Sequence, residues 1–427
     1  MAQTSIPVGS ALAKKHFGVA LFGASQRMPT LLNNMTGPAP KQAAAESRAK
    51  GQTMPDYPIV RVTDLSKAQG DAVSVDLFNI IGGKPLVGDV NAEGKGEKLT
   101  SSSMDIRVDL LTKVVDSGGK MAQQRTVHNL RGLALAHLAG YMPRLETQQT
   151  LVHLAGARGS QAGSDWVVPL ASDPDYAAIM VNAVRAPTFN RHFVANAAGI
   201  TQGGAQLASI GTGDTLKLSH LDRIREFLDD QEVQLPPIKL MDDPAKDDEP
   251  LYLMLLSPRM YHSLLQDMTA GNNIRAFQQN AWNRASYGSK SPLFRGEVGL
   301  WNGILVRKMP RAIRFAASEV TSIVTSANRL TATETNVTVA AGIGGTRAVE
   351  RGLLLGAQAL ANVYGRNQGS DYYYSFTERM YNFERNYESA GESMNGKAKV
   401  RFAMPDGLGN FEATDMGVYV MDAVVNL

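Results

Sequence analysis

The chain contains no cysteine in 427 residues, and charged residues make up only 19% of it. The absence of cysteine excludes disulfide bonds, thiolate metal sites and a cysteine nucleophile, and it fits synthesis in a reducing cytoplasm. The low charge content suits a subunit whose surface is covered by neighbours. A net charge of +3 excludes a strongly basic nucleic-acid-binding protein. The longest apolar run of the second half, Leu251 to Leu256, has the length of a strand, so we expect no membrane-spanning helix.

Catalytic motifs are missing as well. The sequence has no G-x-S-x-G, no H-E-x-x-H and no histidine–carboxylate cluster at ligand spacing. The spacing of His128, His137 and His153 does not fit a helical metal pair, which favours core or interface roles. The acidic run from Asp242 to Glu249 matches no EF-hand, which favours a solvated loop over a calcium or magnesium site. We therefore predict no catalytic, cofactor-binding or metal-binding residues.

Two glycine-rich stretches resemble phosphate-binding loops. The first is "FRGEVGLWNG", with Gly296, Gly299 and Gly303. A phosphate loop has its glycines after a strand and before a helix, whereas these glycines precede the apolar strand Ile304 to Val306. We predict a turn into a strand, with Phe294 and Trp301 as packing residues. The second, "AGIGGT" at 341–346, precedes a predicted helix but lacks the Lys-Ser/Thr and G-x-G-x-x-G patterns. A nucleotide-dependent enzyme built on these two loops is the rival hypothesis.

The N-terminal stretch 1–60 is basic and shows no sustained helical or strand period. It contains six Lys or Arg and two acidic residues, a net charge of +4: Lys14, Lys15, Arg27, Lys41, Arg48 and Lys50 against Glu46 and Asp56. The apolar stretch from Phe17 to Ala24 is short for a signal peptide, so a buried part of an extended arm is favoured. An arm without its own core must lie along neighbouring subunits or a polyanion, and a disordered tail is the alternative.

Alternating apolar residues then predict an antiparallel strand pair. The pattern occurs in "DAVSVDLF" at 71–78 and again in "MDIRVDLL" at 104–111. The glycine-rich connection between them is too long for a tight turn. We predict a projecting hairpin that finds its partner on another molecule.

The rest of the chain mixes helices and strands. An apolar stripe predicts a long helix from Gly119 to about Gly156, which Pro143 should kink or divide. Residues 157–213 indicate a surface insertion with short elements. A second helix follows a cap at Asp214 or Thr215, and a third begins at a Ser-Pro step after a buried strand ending at Leu256. We further expect a helix from Arg347 to Tyr364 and two C-terminal strands around a glycine turn, with Lys397, Lys399 and Arg401 alternating with Ala398, Val400 and Phe402.

Four stretches carry the pattern of a known family. The hairpin shows Gly-x-x-x-x-Glu-Gly-x-x-Glu-x-Leu at Gly88, Glu93, Gly94, Glu97 and Leu99. The others are "SPLFRGEVGLWNGILVRKMPR", "ERGLLLGAQALANVYG", and "KAKVRF" followed by "DMGVYVMDAVV". In this order, across residues 71–427, they resemble the major capsid proteins of tailed phages, which have the Hong Kong ninety-seven-type coat fold.

The resemblance implies an α+β fold with an N-terminal arm at 1–70 and an extended loop at 71–118. A peripheral domain with a spine helix and an insertion would occupy 119–213, and an axial domain 214–370. The C-terminal strands at 371–427 would rejoin the peripheral domain. The candidate assembly residues are Gly88, Glu93, Gly94, Glu97, Arg107, Arg307, Lys308 and Arg311.

The resemblance also implies a function and partners. The protein would self-assemble through hexamers and pentamers into an icosahedral head that encloses double-stranded DNA, without sequence readout and without a membrane. Portal, scaffolding or decoration proteins would be further partners. The chain would reside in the virion after assembly in the bacterial host cytoplasm. A cellular nanocompartment of the same fold, which encloses enzymes, is the alternative.

Overall fold

The protein is described by a computed structural model. It describes residues 35–37, 53, 55–62, 70–78, 85–88, 93–96, 100–120, 130–163, 166–231, 233–238, 250–270, 297–309, 311–365, 374–381, 383–405 and 410–427. The predictions for the acidic run and for residues 1–34 lie outside these ranges.

Strands dominate the described residues. The first ten are β1 Ile59–Val62, β2 Ala72–Phe78, β3 Ser101–Arg107, β4 Asp109–Gly119, β5 His192–Asn196, β6 Gly199–Gln202, β7 Tyr252–Leu256, β8 Glu297–Trp301, β9 Ile304–Lys308 and β10 Ile313–Phe315. The others are β11 Val320–Val324, β12 Glu334–Thr338, β13 Arg347–Leu355, β14 Leu360–Tyr364, β15 Tyr374–Tyr381, β16 Asn386–Lys399, β17 Arg401–Pro405, β18 Phe411–Asp415 and β19 Val418–Asn426. The helices are α1 Leu130–Ala155, α2 Tyr176–Met180, α3 Leu218–Asp230 and α4 Pro258–Ala270.

An eight-stranded mixed sheet forms the larger core. Its order is β6-β5-β19-β13-β7-β9-β8, and β10 pairs with β13. Its central strands are buried on both faces, and successive side chains point to opposite sides of a sheet. Leu354 accordingly packs in the apolar cluster that contains α3 and α4, whereas Leu353 and Leu355 pack in the cluster that contains the end of α1. The sheet therefore lies between helices.

A five-stranded sheet forms the second core. Its order is β1-β14-β16-β15, and β4 pairs with the other edge of β16. Helix α1 covers one face, where Leu138 and Met142 pack against Tyr374 and Phe376. The parallel pairing of β1 with β14 places Ile59 in the core, so the last part of the predicted arm belongs to this sheet of its own chain.

The predicted antiparallel strand pair is confirmed, although its second strand ends at Arg107 and the run continues as β4 in another sheet. Strands β2 and β3 pair antiparallel, with Val73 opposite Ile106 and Val75 opposite Met104. Their apolar side chains pack on a cluster of residues from β1, β14, β16 and β17 that includes Phe402. The base of the hairpin is thus held by its own chain.

Helix α1 is not divided in its described part, Leu130–Ala155. Gly119 ends β4, and residues 121–129 lie outside the described ranges. The helix runs through Pro143, which is buried, so of the two predicted effects of this proline the division is wrong, and the kink stays a prediction. Proline removes one hydrogen bond of the helix, and packing of the buried helix face on the five-stranded sheet offsets that loss. The predicted face is otherwise confirmed, since Ala134, Leu138 and Leu145 are buried.

The predicted helix from Arg347 to Tyr364 is wrong, because this segment forms β13 and β14. Both strands are buried on both faces, so their sequence shows no alternation and resembles an apolar helix. The break between them falls at Gly356, where an added Cβ would clash with the Pro236 carbonyl oxygen. The "AGIGGT" stretch therefore precedes a strand.

The expectation of a surface insertion at 157–213 is also wrong. Strand β5 lies between β6 and β19 inside the eight-stranded sheet, and Phe193 and Val194 are completely buried. Small residues around β5 obscured this short apolar strand.

Helix α3 buries the face that the sequence predicts, Leu218, Leu221, Ile224 and Leu228. The cap of α3 was predicted wrongly: the helix begins at Leu218, whose N–H donates to Asp267 Oδ2 of α4 at 2.8 Å. The predicted Ser-Pro start of α4 is confirmed, with Ser257 Oγ accepting from Met260 N at 3.0 Å.

Candidate assembly surfaces and buried ionic clusters

The first glycine-rich stretch contains a tight turn at Gly303 between two strands. Asn302 and Gly303 have positive φ angles of 46° and 75°, as a tight hairpin turn requires, and they connect β8 to β9. Trp301 packs on the neighbouring core and donates from Nε1 to Asp222 Oδ1 at 2.7 Å. Gly299 lies within β8 at an irregularity of the pairing. The predicted turn into a strand is confirmed, while Gly296, Phe294 and Pro310 lie outside the described residues.

The basic residues after this turn differ in exposure. Lys308 is exposed at the end of β9, with Nζ 4.7 Å from the centre of the Tyr261 ring. Arg307 and Arg311 are half-buried. Arg307 and Lys308 lie in β9 of the eight-stranded sheet, between β7 and β8, and Arg311 follows this strand, so all three are remote in the fold from the hairpin candidates. Their part in assembly stays a prediction.

The hairpin loop is open to solvent in the parts that are described. Gly88 and Gly94 have φ angles of +74° and +76°, and an added Cβ at either would meet no atom within 4 Å. Glu93 is exposed, and Glu97 lies outside the described residues. Beside them, Leu86 and Val87 are 48% and 80% exposed. The loop therefore presents apolar side chains that its own chain does not cover.

The candidate Arg107 is fixed through its backbone. Its N–H donates to Asn182 Oδ1 at 2.9 Å, and its carbonyl oxygen accepts from Asn182 Nδ2 at 2.9 Å. An added Cβ at Gly396 would clash with the same carbonyl oxygen, so glycine is required there. The side chain of Arg107 is exposed, which leaves it available to another molecule.

A buried ionic cluster, missed by the sequence analysis, surrounds Asp415. Arg401 Nε donates to Asp415 Oδ1 at 2.7 Å, and Lys399 Nζ lies 2.8 Å from Oδ2. Arg401 also donates to the carbonyl oxygen of Ala186, and the N–H of Thr188 donates to Asp415 Oδ2 at 3.2 Å. Burial alone would raise the pKa of Asp415, but the two cations lower it to about 2. The Asp415 cluster thus joins the β17–β18 hairpin to the segment before β5.

A second buried cluster surrounds Asp422 in β19. Arg351 donates to both carboxylate oxygens at 2.8 Å, and His192 Nε2 lies 2.7 Å from Oδ2. Arg351 Nη1 donates to the carbonyl oxygen of Ala155 at the end of α1 at 2.8 Å. Burial alone would raise the pKa of Asp422, yet Arg351 and His192 hold it well below its usual range. Because all three side chains are fully buried, the histidine–aspartate pair connects strands and does not face a substrate.

Lys397 is buried among neutral partners. Its Nζ donates to Gln149 Oε1 at 3.1 Å and to Asn395 Oδ1 at 3.0 Å. Burial lowers its pKa to about 8. Nearby, burial lowers the pKa of His153 to about 3, so this histidine is a neutral core residue, as predicted. His137 is exposed, and His128 lies outside the described residues.

A cleft among the described residues lies away from the two glycine stretches. This cleft, of about 380 Å³, lies beside the β11–β12 hairpin, and neither Gly303 nor Gly344 lines it. Its basic lining residue, Arg158, stacks 3.6 Å from the centre of the Trp166 ring and donates to the Val168 carbonyl oxygen at 2.9 Å. The guanidinium is therefore engaged by its own chain.

Metal-binding clusters and membrane-spanning helices are also absent from the part of the chain that the structure describes. These residues contain no group of three or more histidine, cysteine or acidic side chains that could hold a metal ion. Among them, α1 and the shorter helices are not apolar enough over a sufficient length to cross a membrane.

Known proteins resemble this chain in sequence and in fold. The family described as "Phage capsid protein" has a model that matches residues 5–427. No curated protein matches the chain. Among solved structures, the capsid of Ralstonia phage GP4 is 23% identical, with 88% of this chain and 89% of that chain covered and a TM-score of 0.67. The capsid of cyanophage Pam1 is 18% identical, with 87% and 89% covered and a TM-score of 0.58. The head structure of Helicobacter pylori bacteriophage KHP40 is 12% identical, with 88% of each chain covered and a TM-score of 0.55.

Proposed function

Because the chain belongs to the phage capsid protein family, we propose that many copies of it build a closed icosahedral head around double-stranded DNA. In this proposal the chain is a structural component of the virion, it assembles in the host cytoplasm, and it has no catalytic role. Pentamers and hexamers of this one chain make the shell. Portal, scaffolding or decoration proteins are its further partners.

The observation that best supports this proposal is the exposed apolar surface of the hairpin loop. Its base packs on the chain's own core through Val73, Val75 and Ile106, but Leu86 and Val87 in the loop remain exposed. Exposed apolar side chains at the end of an anchored hairpin are typical of a contact with another molecule. A shell subunit needs large contacts with several neighbours, and a projecting loop supplies area with few residues.

In this proposal each segment of the chain has the role in the shell that the sequence resemblance implies. Residues 1–70 form an arm, and 71–118 form an extended loop whose strands β2, β3 and β4 pack on their own chain and whose connection lies over the adjacent subunit. Residues 119–213 form a peripheral domain built on α1, and 214–370 an axial domain near the symmetry axes. Residues 371–427 return to the peripheral domain through β15 and β16, while β5 and β19 join the eight-stranded sheet with β7, β9 and β13. Strands β15 and β16 support this last assignment because they pair beside α1.

The test is particle formation by the full-length chain, measured by size-exclusion chromatography and negative-stain microscopy. We expect closed particles from the natural sequence and none from a variant lacking residues 84–98, which should remain soluble. A variant lacking residues 1–34 should also fail to close. The arm deletion ends at residue 34, since Met35 and Ile59 are buried in the core.

A variant of the loop and a control variant elsewhere distinguish a specific effect of the loop from the general effect of removing an exposed apolar side chain. Leu86→Ser with Val87→Ser should reduce particle yield, whereas Leu330→Ser, an exposed leucine in the loop between β11 and β12, should not. Normal shells from the loop deletion would overturn the proposed role of the hairpin. Copurified enzyme cargo without nucleic acid would favour the nanocompartment, and a nucleotide-induced thermal shift would favour the nucleotide enzyme.

A further inference from the structure

One face of the five-stranded sheet has no helix over it among the described residues. Strands β4, β16 and β15 lie side by side, and α1 covers the face that includes Val115, Tyr374 and Phe376. Side chains alternate between the two faces. The opposite side of these three strands is called the outward face, and its residues are Leu110, Thr112, Val114 and Asp116 of β4, Glu388, Ala390, Glu392 and Met394 of β16, and Ser375, Thr377, Arg379 and Tyr381 of β15.

The pairing register confirms that these residues share one side. Val114 lies opposite Ala390, which lies opposite Thr377 on the next strand. Two contacts cross the strands on this side: Tyr381 OH donates to Asp116 Oδ2 at 2.9 Å, and Ser375 Oγ donates to Glu392 Oε2 at 2.8 Å. The outward face is therefore a continuous surface.

The composition of the outward face is apolar and acidic. Leu110 and Val114 are 44% and 51% exposed, more than a strand face that is covered within its own chain would leave. Among the twelve residues of this face, three carry carboxylates, Asp116, Glu388 and Glu392, and one carries a guanidinium, Arg379. A partner that fits this surface is apolar and basic.

The N-terminal segment, residues 1–34, has this composition. It contains three basic residues, Lys14, Lys15 and Arg27, and no acidic residue. The apolar stretch Phe17 to Ala24 follows the two lysines closely. The hairpin loop at 84–98 is the other segment that could reach a neighbour, but its three lysines are balanced by three acids. DNA is excluded as the occupant, because its phosphates would be repelled by the carboxylates.

The side of the sheet from which the segment starts decides which copy it contacts. Met35 is fully buried in the cluster that contains Leu145 and Leu151 of α1, and Leu111, a helix-facing residue of β4, packs on that cluster. Met35, which follows this segment, therefore lies on the α1 side of its own sheet, opposite the outward face. A fully extended segment of this length spans on the order of 100 Å, enough to reach an adjacent subunit.

We propose that the outward face of β4, β16 and β15 is the docking surface for residues 1–34 of a neighbouring copy. The apolar stretch covers Leu110 and Val114, and Lys14 and Lys15 pair with Glu388 and Glu392. The inference rests on the proposed function, since it needs a second copy beside the first. It assigns a receiving surface to the arm.

Charge exchange in the full-length chain tests this pairing. The face variant is Glu388→Lys with Glu392→Lys, the arm variant is Lys14→Glu with Lys15→Glu, and the exchange variant carries all four substitutions. The control variant is Glu226→Lys with Asp229→Lys, two exposed acids of α3. We expect the face and arm variants to lose about tenfold or more in closed-particle yield, and the exchange variant to recover most of it, because complementary charges fix the register of an interface. The control variant should assemble normally.

The outcomes separate the inference from the proposed function. If the natural sequence forms no closed particles, the proposed function fails. If it does, and the face variant also assembles normally, the docking surface is wrong while the proposed function stands. Loss in both single variants without recovery in the exchange variant would also overturn the pairing. Unfolding midpoints of the unassembled variants check that the fold is intact, and Val114→Ser, which changes no charge, should lower particle yield by itself.

Coexpression of the face variant with the arm variant shows whether the segment docks on its own chain or on a neighbouring copy. If the segment docks on a neighbour, the face variant and the arm variant complement each other, and coexpression restores mixed particles that contain both chains. If the segment docks on its own chain, each variant stays defective in the mixture although the exchange variant assembles. That result would overturn the assignment to a neighbouring copy.

Discussion

Strand β16 carries charged side chains along its whole length, yet its two halves have different surroundings. In the first half, the side chain of Glu388 is 31% exposed and pairs with Arg379, which is 72% exposed, at 3.3 Å. In the second half, Lys397 and Lys399 are buried. The same strand thus contributes to a surface at one end and to the protein interior at the other.

The difference has a physical consequence for the role of each charge. Water screens an exposed ion pair, so its net contribution to the free energy of unfolding is small. A charge buried with its partner has lost its hydration, and removing the partner leaves it uncompensated. We therefore expect the buried half to determine the stability of the subunit and the exposed half to determine its contacts with other molecules.

The largest effect is expected at Asp415. Replacing it by Asn keeps the shape but removes the counter-charge of Lys399 and Arg401. The free energy of unfolding should fall by about 3–5 kcal/mol, measured by urea unfolding of the unassembled full-length chain. A change below about 1 kcal/mol, the size expected of an exposed pair, would contradict the distinction between the two halves of β16.

The next effect is a pH dependence from Lys397. Its folded pKa of about 8 is below the ordinary value of 10.5 because of burial, so between these pH values the unfolded chain binds more protons. Stability should therefore rise with pH above 8, and Lys397 alone should contribute on the order of 2–3 kcal/mol of the rise up to pH 10. Unfolding midpoints in urea at pH 7, 8, 9 and 10 measure the rise.

Lys397→Met is the control for this pH dependence. Lys399, whose pKa burial also lowers to about 8, contributes in the same direction, so the variant should keep about half of the rise. Above pH 10 the trend should reverse, since burial raises the pKa of Tyr176 to about 12 and the unfolded chain then loses its tyrosine protons first. A flat profile from pH 8 to pH 10 in both proteins would contradict the burial of these lysines.

Much of the fold was predictable where a strand or helix has one buried and one exposed side. The alternation in β2 and β3 and the stripe of α3 are of this kind. Strands β13 and β14 were missed because both of their faces are buried, which leaves no period in the sequence. Strand β5 was missed because its burial depends on its pairing with β19, the last strand of the chain.

The site was less predictable than the fold for a similar reason. The alternation of Lys397, Lys399 and Arg401 predicts a strand, and that is correct, but it says nothing of their burial. Their partners, Gln149 and Asp415, are brought near only by folding. Likewise, the outward face depends on the register of β4 against β16, which places Val114 opposite the sequence-distant Ala390. The sequence motif of the hairpin did identify the exposed loop.

Two glycines allow the same comparison between interior and surface to be made for the backbone. Gly303 and Gly94 have almost equal φ angles, +75° and +76°. An added Cβ at Gly303 would lie 2.8 Å from the Pro250 carbonyl oxygen, whereas at Gly94 it would meet nothing within 4 Å. Gly303→Ala should cost about 2 kcal/mol, and Gly94→Ala about 1 kcal/mol or less, because only the first adds a clash to the strain of the left-handed region. If thermal unfolding gave the same loss of stability for both variants, backbone strain alone would determine the cost and the clash at Gly303 would contribute nothing.

The smallest effect on stability is expected at the exposed half of β16. There, a substitution should change the contacts with other molecules while leaving the stability of the subunit almost unchanged. A double-mutant cycle of Arg379→Gln and Glu388→Gln should give a coupling energy of about 0.5 kcal/mol or less in urea unfolding of the unassembled chain. The closed-particle yield should nevertheless fall for Glu388→Gln, since the carboxylate that it removes is one that the basic arm would contact. Arg379→Gln should leave the yield unchanged or raise it, because it makes the outward face more acidic. A coupling energy well beyond the range of exposed pairs would place this ion pair with the interior clusters, and the two halves of β16 would then serve the same purpose.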